Sequence, residues 1–206
     1  MRYRRADTAG GTYFFTVNLA ERGSDRLVRH VEELCAVMKK VKEAHPNAIV
    51  AMVVLPGHLH AIWHLPPGDA EYPLRWSLIK SGFSRQWVKD KHIRKSRQAK
   101  RERGIWQRRY WEHQIRDEND LARHVDYIHY NPVKHGWVTC PVDWPHSTLH
   151  GYIERGRVTP DWGGQVNDGA SGNGERVGLH KKRRARAQAP CCNVIATFPF
   201  LRLVST

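Results

Sequence analysis

Apolar positions along the first 160 or so residues switch between two periods. Thr12–Leu19 (TYFFTVNL) is aromatic and β-branched, which predicts a strand. From Arg26 to about Ala44, Leu27, Val28, Val31, Leu34, Cys35, Val37, Met38 and Val41 recur at helical spacing, with Asp25 as N-cap and Pro46-Asn47 as the break. Ala48–Leu55 is a continuous apolar run, as expected of a buried central strand. Pro56-Gly57 is a turn signal, and His58–Leu65 (HLHAIWHL) follows as the hairpin partner. Beyond a loop at Pro66-Pro67-Gly68-Asp69, Leu74–Val88 returns to helical spacing through Leu78, Ile79, Phe83 and Trp87. Lys89–Arg103 is a charged run that reads as a helix end or loop. Ile105–Ile115 (IWQRRYWEHQI) predicts an extended, aromatic-rich strand. Asp117–Tyr130 predicts a helix with an Asp cap and acidic residues in its first turn, ended or bent at Pro132. Val142–Ile153, carrying Trp144 and Tyr152, predicts a short closing element. The first six elements follow the β-α-β-β-α-β order of an α+β, ferredoxin-like fold with a central antiparallel sheet.

Composition changes after Trp162. GGQVNDGASGNGERVG is rich in Gly, Asn and Ser, and Lys181-Lys182-Arg183-Arg184 with Arg186 forms a basic block. Residues 1–162 are therefore expected to form one domain and 163–206 a flexible basic tail. With 206 residues and a formal net charge of +14, the chain is long enough for a real core and basic enough to expect a polyanionic partner, nucleic acid first. The four cysteines, Cys35, Cys140, Cys191 and Cys192, form no CxxC and suit neither a zinc finger nor a disulfide framework. No apolar stretch resembles a signal peptide or spans a bilayer, so a cytoplasmic, nucleoid-associated protein is expected.

Three groups of residues carry candidate chemistry. His58 and His60, two apart on a strand, point to the same face and are spaced to hold one divalent ion. His64 lies on that face one step further and reads as a flanking residue. Tyr127 and Asn131 stand one helical turn apart, so a phenol oxygen and an amide oxygen can approach one ion. Spacing alone favours Tyr127 as a core aromatic and Asn131 as a cap before Pro132. Between them, Gly104–Asp117 interleaves arginines with aromatics, a mixture suited to phosphate pairing and base stacking, or to an amphipathic sheet edge.

In this order the motifs resemble the REP-associated tyrosine transposases, a branch of the one-tyrosine HUH transposases. The HUH motif is His58-Leu59-His60, although the family commonly has Asn where Gly57 stands. Trp106-Gln107, Tyr110, His113 and Ile115-Arg116-Asp117 match its WQ…Y…H…IRD stretch. Tyr127-Ile128-His129-Tyr130-Asn131-Pro132-Val133 matches YIxxNPV. Trp144-Pro145-His146-Ser147 is similar to the WPxSS closing motif, with Thr148 in place of the second serine. The resemblance spans about residues 10 to 152.

The resemblance implies His58 and His60 as metal ligands with Asn131 as the third, Tyr127 as the nucleophile with Tyr130 the competing candidate, and Mg²⁺ or Mn²⁺ as the ion. It implies a metal-dependent single-strand DNA endonuclease and strand transferase that works through a 5′-phosphotyrosine. Its substrates would be imperfect hairpins from repeated extragenic palindromes, and its state a monomer or homodimer. Arg85, Lys89, Arg108, Arg109, His113 and Arg116 are expected DNA contacts, with Trp106 and Trp111 as stacking platforms. Two rivals remain open on sequence: a hairpin-binding protein without chemistry, and a metal-dependent hydrolase built on the histidines of 58–64.

Overall fold

The computed structural model describes residues 9–21, 23–87 and 103–163. Lys89, the Lys181–Arg186 block, Cys191, Cys192 and the expected tail beyond residue 163 lie outside them. Four strands, β1 (Thr12–Asn18), β2 (Ala48–Val54), β3 (His58–His64) and β4 (Trp111–Gln114), form one sheet in the order β2-β3-β1-β4. Every pairing is antiparallel, so the ferredoxin-like order read from the chain is the observed one.

Side-chain alternation divides the sheet into two faces. Tyr13, Phe15, Val17, Leu59, Ala61 and Trp63 point to one face. There they meet α2 (Val31–Ala44) and α3 (Tyr72–Ser84). Trp63 stacks on Trp76 with ring centroids 4.2 Å apart. Gly82 lets α3 close on α2, because a Cβ there would come within 2.7 Å of the Val37 side chain. The alternate residues, Phe14 and Ile62 with Ala51 and Val53, face a long helix, α4 (Glu118–Lys134), and meet its Ile128. The sheet is thus a middle layer, and His58 and His60 emerge on the side that α4 covers.

Several boundaries differ from those read in the sequence. The first helical stretch is broken at His30, whose φ of −124° leaves the helical region, into a single turn, α1 (Arg26–Arg29), and α2. Asp25 makes no side-chain cap; its carboxylate accepts from Arg29 Nε at 3.0 Å instead. The long strand expected over 105–115 is shortened to β4, with only a single Leu19–Trp106 bridge upstream. Arg108 and Arg109 are consecutive and both exposed, which an alternating strand lying on a core cannot offer. Asp117 does cap α4, its side chain accepting from the Asp120 amide at 2.8 Å. That helix passes through Pro132 and stops two residues later.

The closing element is a 3₁₀ turn (Pro141–Asp143), a bridge from Ser147 to Val53, and α5 (Leu149–Glu154). It covers the outer edge of β2, where unpaired backbone groups would otherwise be exposed. Thr148 is its central bolt. The hydroxyl accepts from the Met52 amide at 2.9 Å, donates to the Met52 carbonyl at 3.2 Å, and lies 3.0 Å from His129 Nε2 on α4. Burial, with the nearby charge of His150, pushes His129 down to about 3. Its ring is therefore neutral and donates one hydrogen bond.

Replacing Thr148 with Val keeps the shape and strands the His129 and Met52 donors in a dry interior. We expect a loss of about 1–3 kcal/mol in urea unfolding. An unchanged midpoint would show that the bolt carries no load.

Candidate active site

On β3 the period of two sets His58 and His60 side by side, with ring centroids 5.0 Å apart. His60 is fully buried. Its cross-strand neighbour on β1 is Thr16, whose hydroxyl lies 2.9 Å from His60 Nδ1. A ring nitrogen held in this way fixes the orientation of the imidazole, as is usual for a ligating histidine. His64 is held by Thr12 in the same way, with 2.9 Å between Thr12 Oγ1 and His64 Nδ1, at the far end of the strand.

From the other side α4 presents Tyr127 and Asn131. The Tyr127 ring lies 5.2 Å from the His60 ring and 5.9 Å from Phe14, edge-on to both. It is half-buried. The Lys134 ammonium sits 4.7 Å from its ring centroid. Asn131 is fully buried, and neither Oδ1 nor Nδ2 has a hydrogen-bond partner among the described residues. An unbonded buried amide costs about 1–3 kcal/mol, so this one is a standing expense in the fold. Two imidazoles, that of His60 oriented by Thr16, and a dry carboxamide oxygen are donor types that fit a divalent cation. Tyr130, three residues after Tyr127, has its ring beside Gly163.

A second polar group stands on the same two layers. His113 on β4 and Asp120 and His124 on α4 place three possible ligand atoms within 4.8 Å of one another. Their bonds are already directed inward. Asp120 accepts from His113 Nε2 at 2.8 Å, from the Arg116 amide at 3.1 Å and from Arg123 at 3.3 Å, while His124 Nδ1 reaches the Asp120 carbonyl at 2.8 Å. The two rings stack at 4.8 Å, nearly parallel. Burial raises the Asp120 carboxyl, but these hydrogen bonds outweigh it and bring the group down to about 2. We read this group as the clamp that ties the start of α4 to β4. Phe14 bridges it to the imidazole site, 4.9 Å from His124 and 5.5 Å from His60.

The remaining sequence candidates scatter. Trp106 is 6% exposed and packs on Phe83 at 5.6 Å. A stacking platform must offer a face, so Trp106 belongs to the core. His113 is engaged by Asp120. Trp111 is 46% exposed, and its ring is parallel to that of His113 at 5.8 Å, leaving a shelf open to solvent. Arg108, Arg109 and Arg116 are exposed near β4, while Arg85 is exposed at the end of α3 in the other helix layer. Thr16, Lys134 and the Asp120 clamp were passed over in the sequence because each acts through a contact distant along the chain or on a face that spacing alone did not single out.

No protein-family model matches the chain. It is 45% identical over 175 residues to the REP-associated tyrosine transposase of Escherichia coli K12, covering 85% of this chain and 97% of that protein. A Haemophilus influenzae protein of the same family name is 45% identical over 163 residues, 79% of this chain and 93% of its own. The solved structure of a REP-associated tyrosine transposase bound to a REP hairpin superposes with a TM-score of 0.72 at 44% identity, covering 87% of this chain and 99% of that one. Among the described residues no helix is long and apolar enough to cross a membrane.

A carboxyl held below its ordinary value stabilises the fold above that value and loses the contribution as pH falls through it toward the folded one. The Asp120→Asn variant is therefore expected to be less stable than wild type by about 2 kcal/mol near neutral pH, with the gap closing between roughly pH 4 and pH 2. Guanidinium unfolding across that range measures it, and a gap independent of pH would contradict the clamp.

Proposed function

The chain belongs to the REP-associated tyrosine transposases, and on that premise we propose that it cuts and rejoins single-stranded DNA at palindromic hairpins, with Tyr127 as nucleophile. The observation that carries the reading is the juxtaposition of the Tyr127 ring, 5.2 Å from His60, with the buried, unbonded carboxamide of Asn131 one turn further along the same helix. The net charge of +14 and the hairpin in the related structure support a DNA substrate.

His58, His60 and Asn131 would hold the cation. When bound, Mg²⁺ or Mn²⁺ would serve as Lewis acid to a non-bridging oxygen of the scissile phosphate. Tyr127 supplies the oxygen that bonds to phosphorus as the bond from phosphorus to the 3′-oxygen breaks. The phenolic proton passes to solvent, and the departing 3′-oxygen takes one up as a hydroxyl. The products are a 5′-phosphotyrosine and a free 3′-hydroxyl, and attack by another 3′-hydroxyl reverses the step, joining a new strand. Lys134 brings positive charge to the side of the Tyr127 ring, where phenolate and phosphate charges develop. Thr16 holds the His60 ring, and the α4 clamp holds the helix that carries the nucleophile. Arg108, Arg109 and Arg116, exposed near β4, would neutralise phosphates, and the exposed Trp111 ring would stack a base.

Tyr127→Phe should abolish both cleavage of a labelled hairpin and the covalent complex on a denaturing gel, with hairpin binding retained. A variant that cuts at the wild-type rate would remove Tyr127 from its role. His58→Ala combined with His60→Ala should eliminate metal-dependent cleavage, whereas full activity would dismiss the proposed ligands. Trp111→Ala should weaken hairpin binding by about 1–3 kcal/mol, read by fluorescence anisotropy; unaltered affinity would return this residue to the status of a bystander.

A further inference from the structure

We propose that His113, Asp120 and His124 form a second cation site, apart from the β3 imidazoles, that takes Zn²⁺ and so converts the hydrogen-bonded clamp at the start of α4 into a metal-bridged one. The inference needs neither the Tyr127 nucleophile nor the pairing of His58 with His60.

The geometry is that of a ligand set drawn together. Among the described residues this is the one group of histidine, cysteine and carboxylate side chains whose three ligand atoms all lie within 4.8 Å of one another. Asp120 Oδ2 is 2.8 Å from His113 Nε2, and Oδ1 is 3.2 Å from His124 Nδ1. Ligand atoms bound at about 2.1 Å around a tetrahedral ion stand roughly 3.4 Å apart, so small side-chain rotations admit one. Asp120 and His124 are four residues apart on α4 and share its face, the spacing at which zinc ligands recur on helices. His113 comes from β4, opposite Phe14 of β1. The Phe14 ring stands 4.9 Å from His124 and 5.5 Å from His60, an apolar partition that keeps the two sites separate.

The surroundings suit a bound cation. Asp120 and His124 are buried, while the His113 side chain is 23% exposed and leaves a way in from solvent. The Asp120 carboxyl, held down to about 2, is an anion at any ordinary pH. The Arg116 amide donates to it at 3.1 Å, the kind of outer bond that orients a ligating carboxylate. Arg123 is the opposing charge, 3.3 Å from Oδ1, but its side chain is 73% exposed and free to turn into water.

The ion would take the place of the proton between His113 Nε2 and Asp120, and His124 would give up its bond to the Asp120 carbonyl to offer Nδ1. Each neutral ring then keeps one proton, on the nitrogen facing away from the ion, so binding weakens as pH falls. Two imidazoles and one carboxylate with an open position make a zinc set. Mg²⁺ keeps to oxygen and water, and Mn²⁺ stands lowest in the divalent series, so both should occupy this site weakly.

The test uses metal-free, full-length protein without DNA. Zn²⁺ binding is followed by calorimetry, and crystals soaked in Zn²⁺ are measured at the zinc absorption edge. An anomalous peak is expected among His113, Asp120 and His124, whether or not the β3 imidazoles take a second ion. Asp120→Asn and His124→Gln should each weaken one binding step at least about tenfold, the lower end of what losing even an outer-shell partner costs. The double variant His58→Ala, His60→Ala should retain that step, and its loss there would overturn the separation of the two sites. No peak at the cluster under saturating Zn²⁺, or Zn²⁺ binding unaltered in both clamp variants, would overturn the site while leaving the roles of His58, His60 and Tyr127 untouched. The peak in wild type needs no substitution, so a variant that fails to fold cannot obscure the outcome.

Discussion

A helix laid across a sheet is ordinarily sealed to it by apolar side chains, and here α4, which covers the face carrying His58 and His60, also buries the unbonded carboxamide of Asn131. Everything else in the molecule is arranged around tolerating that. The alternation of β3 forces His58 and His60 onto the face opposite Leu59, Ala61 and Trp63, so they cannot join the larger core. The helical repeat of α4 brings Tyr127 and Asn131 down onto the same spot. An amide without a bond is costly in a region screened from water, and a divalent cation is the ligand proposed to relieve that cost.

The expense is offset by what surrounds the polar patch. Phe14, Ala51, Val53, Ile62, Ile128 and Trp144 form a compact apolar cluster between sheet and helix. The helix is tied at two points along its length. Asp120, beneath the Asp117 cap, holds its start to His113 of β4, and His129 bonds to Thr148 over β2; Gly136, with a φ of 62°, follows its end. Trp144 adds a tie from the closing segment, donating from Nε1 to the Val54 carbonyl at 2.9 Å. On the proposed reading of Tyr127 as nucleophile, the anchored helix would need little reorganisation to face a phosphate, and positioning supplies much of the rate in phosphoryl transfer.

Much of this was legible in the chain. Period-two and period-3.6 patterns found all four strands and the main helices, and the HxH spacing on a strand put both imidazoles on one face without coordinates. The Tyr127–Asn131 spacing was equally plain. Pairwise tertiary contacts were not. Asp120 reads as a first-turn acid in sequence and proves to be the hub of a buried clamp with His113 from another element. Trp106 and Trp111 look alike in a run of arginines and aromatics, yet one is in the core and the other is open to solvent, because the backbone leaves the strand ladder between them. Pro132 left open in sequence whether the helix ends or bends there; it runs on to Lys134, because a proline costs the helix one hydrogen bond and not the whole last turn.

The most direct test of the central claim is the position of the ion itself. Crystals soaked in Mn²⁺ and measured at a wavelength where manganese scatters anomalously would locate it without reference to activity. The account predicts a single strong peak between the β3 imidazoles and Asn131 Oδ1, facing the Tyr127 hydroxyl. A peak at His113, Asp120 and His124 with none beside His60, or no ordered peak at all, would contradict it.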